Sequence, residues 1–266
     1  MDKNDCVAEE LGKGMMAIYD FGDIRLHAYK TNDPIDDEVF IVERGNRGVI
    51  IEAPCFFDNI EELEGYIAKK DISIEGLLIA YHGAGASLYP GTKVYSTHRA
   101  DDYNHNGGGA ALVSNFTAAF GDAFDNGIFT TTNYIEAGML EIAGMAFEIV
   151  DTQEAFDIRI PGIGAVYTHM LGHGSHSIVA GADHADAIIA RLEGYRRDGI
   201  DLVLTSHYTP EDLKDVQTKV DYLRELKTLA ASSTDADAFK AAVKAHYPGY
   251  AGDNYLDMTA GYFFAA

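Results

Sequence analysis

Between Met15 and Ala53 short apolar runs alternate with turns, in MMAIYDFG, IRLHAYK, EVFIVERG and GVIIEAP, and the pattern predicts a strand meander with Gly45 and Asn46 at a hairpin turn. Asp58, with Glu61 three residues on, reads as the cap of a helix. Its Ile60, Leu63 and Ile67 share one face, and Lys69 and Lys70 meet its negative end. GLLIAYH then reads as a buried strand that runs into the turn GAGASLYPG with His82 at the junction, and KVYST is a further short strand. Gly107, Gly108 and Gly109 open a loop that leads into a helix through ALVSNFTAAFG; free amides there would suit an anion, or the glycines are only a flexible entry.

From residue 128 to 168 the pattern returns to strands, in IFTTTNYI, LEIAG, MAFEIVD, FDIRIP and GAVYTH. A helix from about Asp183 to Arg197 and a strand, DLVLTSH, follow. The next helix is expected to begin at Thr209, with Pro210 at its first position, and to bury Leu213, Val216, Val220 and Leu223. One more helix ends near His246, and YPGYAGDNYLDM reads as an aromatic coil packed on the body. No repeat and no Pro-, Gly- or Ser-rich linker interrupts the chain, so residues 1–266 are expected to form a single domain.

Composition narrows the partners. A chain of 266 residues buries roughly 70% of its unfolded surface and needs neither disulfide nor metal merely to fold. With 42 acidic against 20 basic side chains, the formal charge of -22 would repel a phosphate backbone or an anionic membrane, and no run of lysine and arginine offsets it. Neither nucleic acid nor membrane is therefore an expected partner; a small-molecule substrate or ligand is. An interaction protein presenting its acidic face to a basic partner needs only the net charge. Cys6 and Cys55 form no C-x-x-C pair, and no stretch approaches the ~18 apolar residues of a membrane span. A cytoplasmic location is the expectation, and an exported form whose leader had been trimmed would read the same way.

Candidate chemistry lies in the histidines. His82, His169 and His207 each follow a predicted strand, with His173 and His176 close behind His169 in THMLGHGSHS. Strand ends are where layered folds place their sites. Two familiar motifs fail: the third glycine of a dinucleotide fingerprint is replaced by Leu88, and no G-x-S-x-G elbow exists to supply a serine nucleophile beside the His82-Gly83 turn.

The order of a strand pair, VIIEAP, a helix, LLIAYH, a second series of strands and a final LVLTSHYTP resembles the metallo-β-lactamase superfamily over nearly the whole chain. That resemblance implies an α+β (α/β) fold, a four-layer αββα sandwich. Glu52 in VIIEAP stands where the family usually has aspartate, and His82 matches the first histidine of its H-x-H-x-D-H. The other positions of that motif are Ala84, Ala86 and Ser87, which offer no comparable ligands. In the resemblance Gln153 or Glu154 falls near the family's middle histidine, His169 near its bridging aspartate and His207 at its late histidine.

Two functions follow. In the first, His82, His169 and His207, with Glu154 or His173 as a fourth ligand, hold one Zn²⁺ or Fe²⁺ and the protein hydrolyses a small ester, lactone or related molecule. Asp157 would orient a ligand, the backbone amides of Gly83, Ala84, Gly85 and Ala86 would face the pocket as an anion or oxyanion nest, and Ser87 and His176 would stand behind the ligands or against the substrate. In the alternative, the protein holds no metal and binds a small molecule or a partner in the same sandwich, with Tyr81, Tyr89, Tyr95 and Tyr103 lining the site.

Overall fold

The computed structural model describes residues 2–169 and 171–265, and the chain divides into two compact units, each described by itself. The larger comprises Asp2–Met170 with Val203–Pro210, the smaller Leu171–Leu202 with Glu211–Ala266.

The larger unit holds two sheets. Strands β1 (Val7–Glu10), β2 (Met15–Asp20), β3 (Ile24–Lys30), β4 (Glu38–Arg44), β5 (Arg47–Ile51), β6 (Ser73–Leu78), β7 (Val94–Ser96) and β8 (Asn133–Tyr134) lie side by side in chain order. Pairing is antiparallel from β1 to β5 and parallel from β5 to β8. Arg44 pairs with Arg47 across the expected two-residue turn at Gly45 and Asn46. The second sheet runs β9 (Gly138–Ile142), β10 (Met145–Asp151), β11 (Phe156–Ile160), β12 (Ala165–Tyr167) and β13 (Leu202–Leu204). Thr168 N donates to Leu204 O beyond the end of β12.

Parallel pairing of β5 with β6 requires a crossover, and helix α1 (Phe57–Lys69) supplies it. Its Ile60, Leu63 and Ile67 pack on Met16, Tyr29, Val39, Ile41, Ile50 and Leu77 from one face of the first sheet. The alternate residues of β4 point the other way, and Phe40 meets Tyr167 of the second sheet edge-on at 6.1 Å. Both faces of β4 are thus covered, which explains why EVFIV is almost continuously apolar rather than alternating.

Several element boundaries differ from the sequence expectation. Phe56, not Asp58, occupies the cap position of α1, with no side-chain cap; Asp58 sits inside the first turn and pairs with Lys13 at 3.1 Å. Polar HRADDYNHN forms helix α2 (His98–Asn106), capped by Thr97, and the glycines that follow enter α3 (Gly108–Phe120). A Cβ on Gly109 would lie 2.7 Å from Asn104 Oδ1, so this glycine permits the close approach of α3 to α2; no anion is needed to account for it.

The smaller unit is helical: α4 (Ala182–Arg197), α5 (Leu213–Ser232), α6 (Ala236–His246) and α7 (Asp253–Phe263). Helix α5 begins three residues later than the Thr209-Pro210 signal suggests, with Asp212 as its cap and Leu213 first. Asp212 accepts from the amides of Lys214 and Asp215 while Asp215 reaches back to Asp212 N, a reciprocal cap that fixes the start. The expected aromatic coil winds into α7 instead, from Asp253 onward. Among the described residues no helix is long and apolar enough to cross a membrane.

Candidate metal centre

The site begins where β5 ends. Glu52 holds a left-handed backbone, φ +60°, and its side chain is fully buried. Its Oε1 accepts from Tyr81 N at 2.8 Å and from the Tyr167 hydroxyl at 2.7 Å, and its Oε2 accepts from His82 N at 3.1 Å. One carboxylate therefore ties the loop after β6 to the end of β12. Burial, against those hydrogen bonds, pushes Glu52 up to about 7. On the far side of the same loop, Asn104 of α2 donates to Ala80 O at 3.2 Å and packs where a Cβ on Gly83 would stand, 2.8 Å away.

Fixed in this way, His82 meets His169, just beyond β12, and His207, beyond β13. His82 Nε2 and His169 Nε2 are 3.3 Å apart, the ring centres of His82 and His207 are 4.9 Å apart, and those of His169 and His207 are 5.4 Å apart. One ring nitrogen from each lies within 4.8 Å of the other two. Two nitrogens bound tetrahedrally to one zinc at about 2.0–2.1 Å would stand about 3.3–3.4 Å apart, so the His82–His169 spacing suits such an ion. Tyr81 stacks on His169 with ring centres 4.7 Å apart and planes within 11°. The Tyr81 hydroxyl is held by Thr152 Oγ1 at 2.9 Å and Asp157 Oδ1 at 3.2 Å.

Burial first, and then the neighbouring imidazoles, depresses the histidines: His82 falls well below its ordinary value and His169 falls to about 3. His207 is lowered by burial against the opposing pull of the Ile35 carbonyl, Asp33 and Asp36. All three rings are therefore neutral at pH 7, the form that binds a metal.

Behind them sits a residue that sequence reasoning missed. Asp37 Oδ1 lies 3.5 Å from His82 Nδ1 and 3.4 Å from His207 Nδ1, is buried, and has no hydrogen-bond partner within normal distance. Burial and the nearby Asp33 push Asp37 well above the usual carboxylate range. A carboxylate facing the second nitrogen of metal-binding imidazoles is the usual orienting partner of such ligands. Its only sequence signal was its place in NDPIDDEVF, immediately before a buried strand.

The remaining candidates lie elsewhere or act differently. Glu154 is exposed on the turn between β10 and β11, where its charge adds to burial in raising the Tyr103 phenol, and it joins no potential ligand group among the described residues. His173 belongs to the smaller unit, where its Nδ1 lies 2.5 Å from Glu211 Oε1 and 3.4 Å from Asp215 Oδ1. His176, in the same unit, is buried against the Tyr222 hydroxyl at 3.0 Å. Met170, within the same sequence segment, lies outside the described residues. Asp157 is linked to His169 through Tyr81.

Much of the expected anion nest after His82 is spent within the fold. Gly85 N donates to Asp125 O, Ala86 N to Gly127 O and Ser87 N to Asp125 Oδ2, so these amides are already satisfied within the fold. Ala84 is packed with Cys55, Phe56 and Phe124, and Ala86 against the α1 core. Gly85 has φ +92°, and a Cβ there would stand 2.3 Å from Pro54 O. Ala84 and Ala86 of this loop thus serve packing, and Ser87 N is tied to Asp125.

The two sheets and the connections between them define a mixed α+β metallo-β-lactamase fold. A metallo β-lactamase from Erythrobacter litoralis, solved with β-mercaptoethanol in its active site, is similar with a TM-score of 0.56 and 11% identity, over 82% of this chain and 100% of that one. The stereoselective inverting sec-alkylsulfatase Pisa1 from Pseudomonas sp. is similar with a TM-score of 0.63 and 14% identity, over 92% of this chain. The match covers 49% of the sulfatase, so this chain spans about half its length. What is shared at these identities is the architecture. No protein-family model and no curated protein matches the sequence.

Proposed function

We propose that this protein is a metal-dependent hydrolase of a small ester, lactone or related molecule, with His82, His169 and His207 holding a divalent zinc or iron ion. The observation that carries the reading is the convergence of one ring nitrogen from each of three histidines within 4.8 Å, backed by a buried oxygen of Asp37 that faces two of the rings. Three nitrogens with room for a further ligand are the donor set of catalytic zinc sites. When bound, the ion supplies Lewis acidity that polarises a substrate oxygen and acidifies water.

The chain's own contribution is to hold those imidazoles in place. Tyr81 fixes the plane of His169, Asp37 faces Nδ1 of both His82 and His207, and Glu52 holds the backbone that carries His82. The alkylsulfatase neighbour adds secondary alkyl sulfates to the substrates worth assaying.

Elemental analysis of protein purified without chelators is expected to find zinc or iron, with about one equivalent fewer in His169→Ala than in the parent. Turnover of chromogenic esters and lactones should be lost in His82→Ala and His207→Ala. Metal-free parent protein that gains no turnover on adding zinc or iron would overturn the proposal and leave the metal-free binder in its place.

A further inference from the structure

We infer that a second cation site, separate from the three histidines, is formed by Asp33, Asp37 and Cys55. Each offers a potential ligand atom, these atoms lie within 4.8 Å of one another, and all three residues are buried. Asp33 and Asp37 come from the segment between β3 and β4, and Cys55 follows β5, so none belongs to the loop after His82.

Asp33 Oδ1 is occupied, accepting from Ile35 N at 2.9 Å and Asp37 N at 3.3 Å. Its Oδ2 is buried and has no partner, although the side chain as a whole is only 6% exposed. Asp37 turns Oδ1 toward His82 and His207 and Oδ2 toward Cys55 Sγ, 3.3 Å away. No lysine or arginine pairs with either carboxylate among the ion pairs of the described residues. Burying two carboxyls and a thiol together, with an acceptor left unsatisfied, is costly unless protons stay on them or a positive charge is added.

A divalent cation meets that requirement and gives the orphaned Oδ2 a partner. A thiolate beside carboxylates selects a borderline-soft ion such as zinc over magnesium or calcium. Binding releases to solvent the thiol proton and any proton held by the two carboxyls and forms the metal–sulfur bond, with no change of oxidation state. Asp37 then stands between the two ligand sets and serves both.

Cobalt(II) reports on this site directly, because thiolate ligation produces a sulfur-to-cobalt charge-transfer band in the near ultraviolet. Chelator-stripped protein titrated with cobalt is expected to take up about two equivalents and to develop the band. Cys6→Ser should keep the band, whereas Cys55→Ser should lose it together with about one equivalent, and Asp33→Asn should weaken that equivalent at least about ten-fold. Circular dichroism establishes that each variant is folded. His169→Ala separates the two sites: a retained band with one equivalent lost supports both, and a retained band with unchanged stoichiometry supports this site while removing the three-histidine reading. Absence of the band in saturated parent protein, or its disappearance in Cys6→Ser, overturns the inference without relying on any variant at the site.

Discussion

Lys219 is the buried cation that the proposed chemistry does not use. Its Nζ donates to Ser175 O at 2.7 Å and Ser177 Oγ at 2.8 Å and lies 4.9 Å from the centre of the Tyr222 ring. Burial, opposed by Glu211, lowers it from 10.5 to about 7. Between those values the unfolded chain binds more protons than the folded one, so stability rises with pH across that window, by at most about 1.4 kcal/mol per unit. This contribution is complete above about 10.5 and is lost as pH falls toward 7. Urea unfolding at pH 7.5 and 9.5 should show the parent gaining about 1–2 kcal/mol more than Lys219→Met over that interval; parallel profiles would show that Lys219 does not titrate in this window. At the proposed centre, Tyr81→Leu removes the ring stacked on His169 and is expected to weaken zinc binding about ten-fold, while Tyr81→Phe, which keeps the stack, should weaken it less. Competition with a chromophoric chelator measures both, and equal affinities would mean that the stack does not position His169. The three histidines were legible because each closes an apolar strand, at LLIAYH, GAVYTH and LVLTSH. Asp37 was not, because one aspartate among 42 acidic residues has no local mark; its partners are a loop 45 residues onward and another near the end of the unit.

Elements hold these residues by tying the backbone of the loop that carries His82, through side chains as well as through backbone bonds. The loop from Ala80 to Ser87 is pinned by Glu52 on one side, by Asn104 of α2 on another, and by the segment from Asp125 to Phe129 through Gly85, Ala86 and Ser87. Gly85→Ala puts a methyl against the Pro54 carbonyl at a position whose backbone is already left-handed, and a backbone atom cannot swing aside. A loss of about 2–4 kcal/mol is expected, read as a lower urea midpoint. A loss below about 0.5 kcal/mol would mean that the loop relaxes freely. At the start of α5, Asp212→Ala should cost about 1 kcal/mol, because two amides lose their acceptor. Strand placement was readable where period and flanks agree, as across β2 to β5. It failed for α2, whose HRADDYNHN lacks the apolar stripe of an amphipathic helix and is set by Thr97 and by contact with α3. The start of α5 was misplaced because Thr209-Pro210 imitates a helix entry, whereas the reciprocal Asp212–Asp215 cap is made only after the chain has turned from the His207 loop. The fate of the Gly85 and Ala86 amides in HGAGAS was hidden for a related reason: a glycine run shows that side chains are missing but not which carbonyls lie opposite the freed amides.

Charge acts on the molecule as a whole. Many of its lysines and arginines are already engaged at the surface: Lys69 and Lys70 both reach Glu9 at 2.7 Å, Lys244 reaches Asp253 at 2.7 Å, and Arg47 reaches Glu75 at 3.0 Å. The acidic excess of 22 charges consequently falls on side chains with few cations to answer them. Salt has two opposing effects on such a surface. It weakens the exposed pairs, each worth about 0–1 kcal/mol, and it screens the mutual repulsion of the unpaired carboxylates, which opposes compaction throughout the molecule. With acidic groups outnumbering basic ones by 42 to 20, screening of repulsion is the larger effect. Raising sodium chloride from about 10 mM, where the Debye length is about 30 Å, to about 1 M, where it is about 3 Å, is therefore expected to raise the first thermal midpoint by several degrees. At about 2–4 °C per kcal/mol for a chain of this size, a rise of that order corresponds to about 1–3 kcal/mol. The rise should saturate once the screening length falls below the spacing of neighbouring carboxylates, and it should be the same for the chelator-stripped protein, which separates it from any effect of salt on metal binding. A midpoint that falls steadily over the same range would show instead that the surface pairs outweigh the repulsion.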